Sequence, residues 1–248
     1  MFLRMVTHTI RDEVTLRMAN TYERLVLSAL HTTPGCVFAA LIQNIDNQNE
    51  CISLTLWKSQ EESVEYEASG LYLQLVNALR PFFSESTEWK LQLNDDYSLE
   101  NTLVQMEPVV EGYNNSVTDP EEIRRLKAKP FAVQIVSLSV QEDQIQAFEH
   151  IFSAEIHQKY KTYKGFIDLI LLRQHREYHS ISFWDETVDI HSSSEVHSIN
   201  QLVKSIYAVL PSFVRWRMSH SGATRTSASS EDIKATVHRC LVAEWFTQ

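Results

Sequence analysis

Val6-Thr7-His8-Thr9-Ile10-Arg11-Asp12-Glu13 returns as Val136-Ser137-Leu138-Ser139-Val140-Gln141-Glu142-Asp143, and at the same spacing Gly35 falls on Gly165. An alternating segment that ends in an acidic turn, met twice at one spacing, marks two copies of one small fold. After a shortening between Gly165 and Trp184, Leu54-Thr55-Leu56-Trp57 meets Ile181-Ser182-Phe183-Trp184, and Trp89-Lys90-Leu91 meets Trp216-Arg217-Met218.

Each copy reads as strand, helix, strand, strand, helix, strand. In the first, residues 2–10 alternate as a strand, and Met18, Tyr22, Leu25, Val26, Ala29 and Leu30 recur at helical spacing up to Pro34-Gly35. Residues 36–45 and 50–57 are apolar, β-branched or aromatic around a polar turn, which predicts a β-hairpin. Ser59 and Glu62 form a capping box that opens a second helix, with Val64, Ala68, Leu71, Leu75 and Leu79 as its apolar stripe. Residues 87–94 supply the last strand. The second copy repeats the order: strand 132–140, a stripe of Ile145, Phe148, Phe152 and Ile156, hairpin strands 166–173 and 178–184, a helix through Val196 and Leu210, and a strand at 213–219.

These elements predict an α+β chain of two tandem ferredoxin-like domains, β-α-β-β-α-β, with both helices of each on one face of its sheet. The expected layout is domain 1–94, connector 95–130 with a short helix at Glu121–Lys127, domain 131–219, and a segment 220–248. The early part of that last segment is polar and expected to be mobile. Ile233, Val237, Leu241 and Trp245 then share the side of a predicted C-terminal helix, a surface expected to dock on a domain of the chain or on a second subunit as a homo-oligomer. Strands such as Cys36–Leu41 and Ile167–Leu172 are apolar on both sides, which predicts that the two sheets pack face to face within the chain.

Composition removes several functions. With 248 residues, 44% of them hydrophobic, the chain can fill two cores, yet no apolar run reaches the ~20 residues that span a bilayer. No signal peptide is visible, and a cytoplasmic protein is expected. The net charge of −10 argues against nucleic acid as a partner. Cys36, Cys51 and Cys240 lack metal or redox spacing, and His175, His179, His191 and His197 follow no metal-binding pattern, so no metal is expected and these histidines are expected on the surface. Five glycines leave no room for a phosphate loop.

Pro34-Gly35-Cys36, the hairpin into Leu54-Thr55-Leu56-Trp57-Lys58-Ser59-Gln60-Glu61, and Ser69-Gly70-Leu71-Tyr72 together resemble the antibiotic-biosynthesis-monooxygenase type of dimeric α+β barrel. The resemblance covers residues 2–94 well and 131–219 more loosely. It implies that a barrel usually made from two chains is built within one. It also implies small-molecule chemistry: cofactor-independent oxygenation of phenolic or quinone-like compounds, or haem degradation. The haem degraders use an Asn, a Trp and a His ligand. Trp57 matches the Trp, but His8 stands at the Asn position and Val76 at the ligand position; Trp184, Leu138 and Val203 stand there in the second copy. The expectation is therefore no cofactor.

His8 is the position where the copies part chemically, since Val6, His8 and Ile10 match the wholly apolar Val136, Leu138 and Val140. One reading places a pocket in the first domain, with His8 as proton acceptor or hydrogen-bond partner and Trp57 as a wall. Tyr66, Tyr72 and Asn77 would complete the binding of a small aromatic molecule. The plainer reading makes Trp57 and His8 satisfied core residues, and the alternative function is a non-catalytic ligand-binding or assembly module.

Overall fold

The computed structural model describes residues 1–93, 99–115, 131–185, 206–210, 212, 215 and 233–246. The Glu121–Lys127 helix, most of the predicted helix before Leu210, the 213–219 strand apart from Arg215, and the polar stretch before 230 fall outside them. The described chain is mixed α+β and divides into two compact units. The first comprises Arg4–Glu111 with Leu241–Gln248; the second comprises Met1–Leu3 with Gly112–Cys240.

In the first unit, β1 (Phe2–Thr9, from Arg4 onward) lies beside β3 (Glu50–Trp57), which pairs antiparallel with β2 (Cys36–Asn44). Helix α1 covers residues 15–31 and contains a π segment at Tyr22–Leu27; it buries Met18, Tyr22, Val26 and Leu30. Gly35 turns the chain from α1 into β2 at φ 78°, a left-handed conformation that any Cβ would strain. A Cβ at Gly35 would also collide with the Glu62 carboxylate, which is occupied in the predicted capping box with Ser59. That box starts α2 (Gln60–Ala68); α3 (Leu71–Leu79) follows.

The second helix of the repeat is thus broken, where the sequence predicts one stripe. Gly70 at φ 79° ends the helical path and re-aims it. The buried face of α2 becomes Ser63 and Tyr66, leaving Val64 exposed, while α3 buries Leu75, Val76 and Leu79.

The fourth strand also departs from the ferredoxin-like arrangement. β4 (Glu85–Leu93) pairs with β5 (Leu99–Gln105) in a separate two-stranded sheet. Its approach touches β1, where the Ser84 N–H donates to the Thr9 carbonyl at 2.8 Å. The connection between β4 and β5 is short, and short connections favour hairpin pairing of sequential strands. The predicted connector therefore carries β5 and β6 (Val109–Asn115).

In the second unit, β7 (Phe131–Ser139) and β8 (Phe166–Gln174) each pair antiparallel with β9 (Glu177–Asp185), and the end of β6 lies against β8. Helix α4, residues 145–160, repeats the π segment at Phe152–Ile156 and buries all four residues of the predicted stripe. Gly165 repeats the left-handed turn at φ 77°. The Lys58 N–H donates to the Gly35 carbonyl at 2.9 Å, and the Asp185 N–H to the Gly165 carbonyl at 2.8 Å.

The predicted C-terminal helix is a strand, β10 (Ile233–Trp245). Ile233 through Arg239 pair antiparallel with Leu138 through Ala132 in the second unit. Its last residues belong to the first unit, where Trp245 packs on Phe38 with ring centroids 4.6 Å apart and the Phe246 N–H donates to the Val37 carbonyl at 3.0 Å. A four-residue spacing lands on one side of a strand as well as of a helix, because four is even. Ala235 and Ala243 lie on that same parity, with β-branched Thr236, Val237 and Val242 alongside. The surface expected to support a homo-oligomer is therefore not a helix.

Candidate functional site

The first unit holds a cavity of about 30 Å³ between the sheet and helices α1 and α3, in contact with α2 through Tyr66. Strand alternation brings Arg4, Val6 and His8 of β1 to it, and Ser53 and Thr55 of β3. Tyr22, Val26 and Leu30 enter from α1, and Tyr72, Leu75, Val76 and Leu79 from α3. The space is that of a few water molecules at most.

His8 is 3% exposed and stacks on Phe83, centroids 4.9 Å apart and planes 22° from parallel. Its Nδ1 is buried without a hydrogen-bond partner. Loss of hydration pushes the imidazole down to about 4, so the ring is neutral at physiological pH. Leu138 in the other unit is buried and apolar, as its repeat position predicts.

Arg4 is the residue that sequence reasoning missed. It is also 3% exposed, and its Nη2 has no hydrogen-bond partner. The guanidinium lies over the Tyr72 ring, 3.9 Å from its centroid, and 5.6 Å from that of Tyr66. That Nη2 is ion-paired at 3.4 Å with the Glu67 carboxylate, whose side chain is 56% exposed. The available signal was parity, because Arg4 lies on the same side of β1 as Val6 and His8.

Tyr66 and Tyr72 line the cavity as expected. Burial pushes both phenols upward, Arg4 partly opposing the shift, so both stay protonated and able to donate. Trp57 stands behind them and is not a lining residue. It is fully buried, its ring 5.0 Å from that of Tyr66. Its indole N–H donates to Thr55 Oγ1 at 3.0 Å, and that hydroxyl donates to the Arg4 carbonyl at 3.4 Å. Trp184 has the same relay in the second unit, through Ser182 at 2.8 Å to the Gln134 carbonyl at 3.4 Å. Asn77 is exposed, away from the cavity, and accepts a hydrogen bond from Arg80 Nε at 2.9 Å.

Among the described residues, no three His, Cys, Asp or Glu side chains are grouped to hold a metal. Cys36 and Cys51 are buried, and loss of hydration pushes the Cys36 thiol up to about 12, which leaves it an unreactive thiol. His179, expected on the surface, is partly buried against Tyr113 and shares a 2.8 Å hydrogen bond with Ser137. His175 is exposed, and His191 and His197 lie outside the described residues. No described helix is long and apolar enough to cross a membrane.

No protein-family model matches the chain, and no curated protein matches it. Solved structures do. A candidate monooxygenase from Lactobacillus acidophilus NCFM superposes with a TM-score of 0.57 at 9% identity, covering 98% of this chain and 95% of its own. A candidate monooxygenase from Fusobacterium nucleatum subsp. nucleatum ATCC 25586 gives 0.56 at 9% identity, covering 98% and 94%. An anthrone oxidase-like protein gives 0.53 at 8% identity, covering 100% and 94%. At such identities the likeness is one of fold.

Proposed function

We propose, from the premise that this chain has the fold of monooxygenase-like proteins, that its first unit is a small-molecule site that oxidises an electron-rich aromatic with O2. The observation that carries the reading is the cavity beside the buried His8, whose repeat counterpart is Leu138. A phenolic ring in its ionised form is a reductant strong enough to pass an electron to oxygen. One oxygen atom is retained as a ring carbonyl, and the other leaves as water with the hydrogen of the oxidised ring carbon and the proton of the phenol. Electrons and atoms then balance with O2 as the sole oxidant.

The protein's part is orientation and exclusion of water. His8 acts by its unpartnered Nδ1 as a hydrogen-bonding group. An imidazole held at about 4 is too weak a base to take a phenol's proton outright in the empty cavity. Tyr66 and Tyr72 supply ring walls and hydroxyl donors.

The second reading, a ligand-binding module without catalysis, is favoured by the lining: His8 is held at about 4 and both Tyr66 and Tyr72 stay protonated, so none of them takes up a phenol's proton readily. Oxygen-electrode measurements on the full chain with anthrone-type phenols separate the two. Catalysis gives uptake of one O2 per substrate that falls at least about tenfold in His8→Leu, the loss of one hydrogen bond to a charged group. Binding without uptake establishes the second reading, and uptake unchanged in His8→Leu removes the site from this cavity.

A further inference from the structure

We infer that the cavity takes its ligand as an aromatic oxyanion, a phenolate or a carboxylate, seated against the Arg4 guanidinium. The inference deepens the proposed small-molecule reading of this cavity, but it does not require catalysis. Its first support is the state of Arg4. A guanidinium withdrawn from water is costly unless its charge and its N–H groups are met. Here the Arg4 Nη2 makes no hydrogen bond among the described residues, and its ion pair at 3.4 Å is with the exposed Glu67 carboxylate, which solvent weakens.

The second support is the makeup of the walls. The chain has ten more acidic than basic residues, yet among the described residues no Asp or Glu lines this cavity. Among the described lining residues Arg4 alone carries a formal charge, because His8 is neutral and both lining tyrosines of α2 and α3 are protonated. Tyr22 is already committed, bonded to Ser53 Oγ at 2.6 Å. An anionic oxygen would meet Arg4 with the solvent-exposed Glu67 carboxylate as its competitor.

The third support is shape. Tyr72 is only half-buried and its ring covers the face of the Arg4 guanidinium at 3.9 Å. A flat ligand ring that carries the anion can take the place of that ring on the guanidinium when Tyr72 turns outward, keeping the cation over an aromatic face. The repeat supplies the contrast: Gln134, buried and uncharged, stands at the position of Arg4 in the second unit.

The test is an absorbance titration of the full chain with para-nitrophenol, at a pH where the free probe is mostly un-ionised. Seating against Arg4 predicts a saturable yellow phenolate band. It also predicts displacement by para-nitrobenzoate, and binding of the neutral para-nitroanisole at least about tenfold weaker. Arg4→Met should lose the band. If Arg4→Met fails to fold by circular dichroism, Arg4→Gln, which installs the uncharged residue of the other repeat, decides, and an unchanged band overturns the inference. Equal binding of the neutral and ionisable probes, or no binding at all, also overturns it and leaves water as the occupant. Ionised-probe binding without oxygen uptake leaves the inference standing while catalysis fails. Oxygen uptake from a substrate bound un-ionised does the reverse.

Discussion

At the scale of single residues, His8 is where the two repeats differ in chemistry, and its burial ties stability to pH. The imidazole sits at about 4 in the folded chain against 6.5 for the ordinary group. Between those values the unfolded chain binds a proton that the folded chain does not. The contribution is therefore fully present above pH 6.5 and is lost as pH falls toward 4. A gap of this size corresponds to about 3 kcal/mol. His8→Leu, which installs the residue of the other repeat, should remove that contribution. Urea denaturation at pH 7 and pH 4 should show the variant losing about 3 kcal/mol less than the wild type; equal losses would refute it. His8 could be picked out from sequence because a twin position supplied the contrast. Arg4 was hidden because a charged residue in an alternating strand reads as solvent-facing, and Asn77 misled because its exposure depends on how Gly70 re-aims α3.

At the scale of elements, the tryptophans at the ends of β3 and β9 hold strands together. Each indole N–H is met by a hydroxyl two residues earlier, and that hydroxyl reaches the carbonyl of the neighbouring strand, Arg4 or Gln134. Thr55→Val keeps the shape and removes both bonds, leaving a buried N–H unmet at a cost of about 1–3 kcal/mol. Ser182→Ala should cost a similar amount. Thermal denaturation would show both variants destabilised, and wild-type stability in either would mean that the relay is idle. The plainer sequence reading of Trp57, a satisfied core residue, thus describes its bonding. The hairpins, the capping box and the α4 stripe were legible because period and capping chemistry act locally. β10 was not, since a spacing of four residues satisfies both periods, and the choice between them was made by β7 offering a partner edge.

At the scale of the whole molecule, neither compact unit is a continuous piece of chain. The first unit ends in Leu241–Gln248, where Glu244 meets His31 at 3.3 Å and the Trp245 ring packs on Phe38. A fragment of residues 1–111 lacks these groups and exposes an edge of β2. We expect it to unfold without a sharp transition, and a peptide of residues 233–248 added in trans to restore cooperativity by circular dichroism. A sharp transition of the fragment alone, unchanged by the peptide, would show that the late segment is dispensable. The same threading matters during synthesis. Between Glu111 and Leu241 a ribosome must add 130 residues, which takes on the order of ten seconds at cellular rates. For that interval the nascent first unit waits with an unpaired strand edge, a period in which a chaperone would have most to protect.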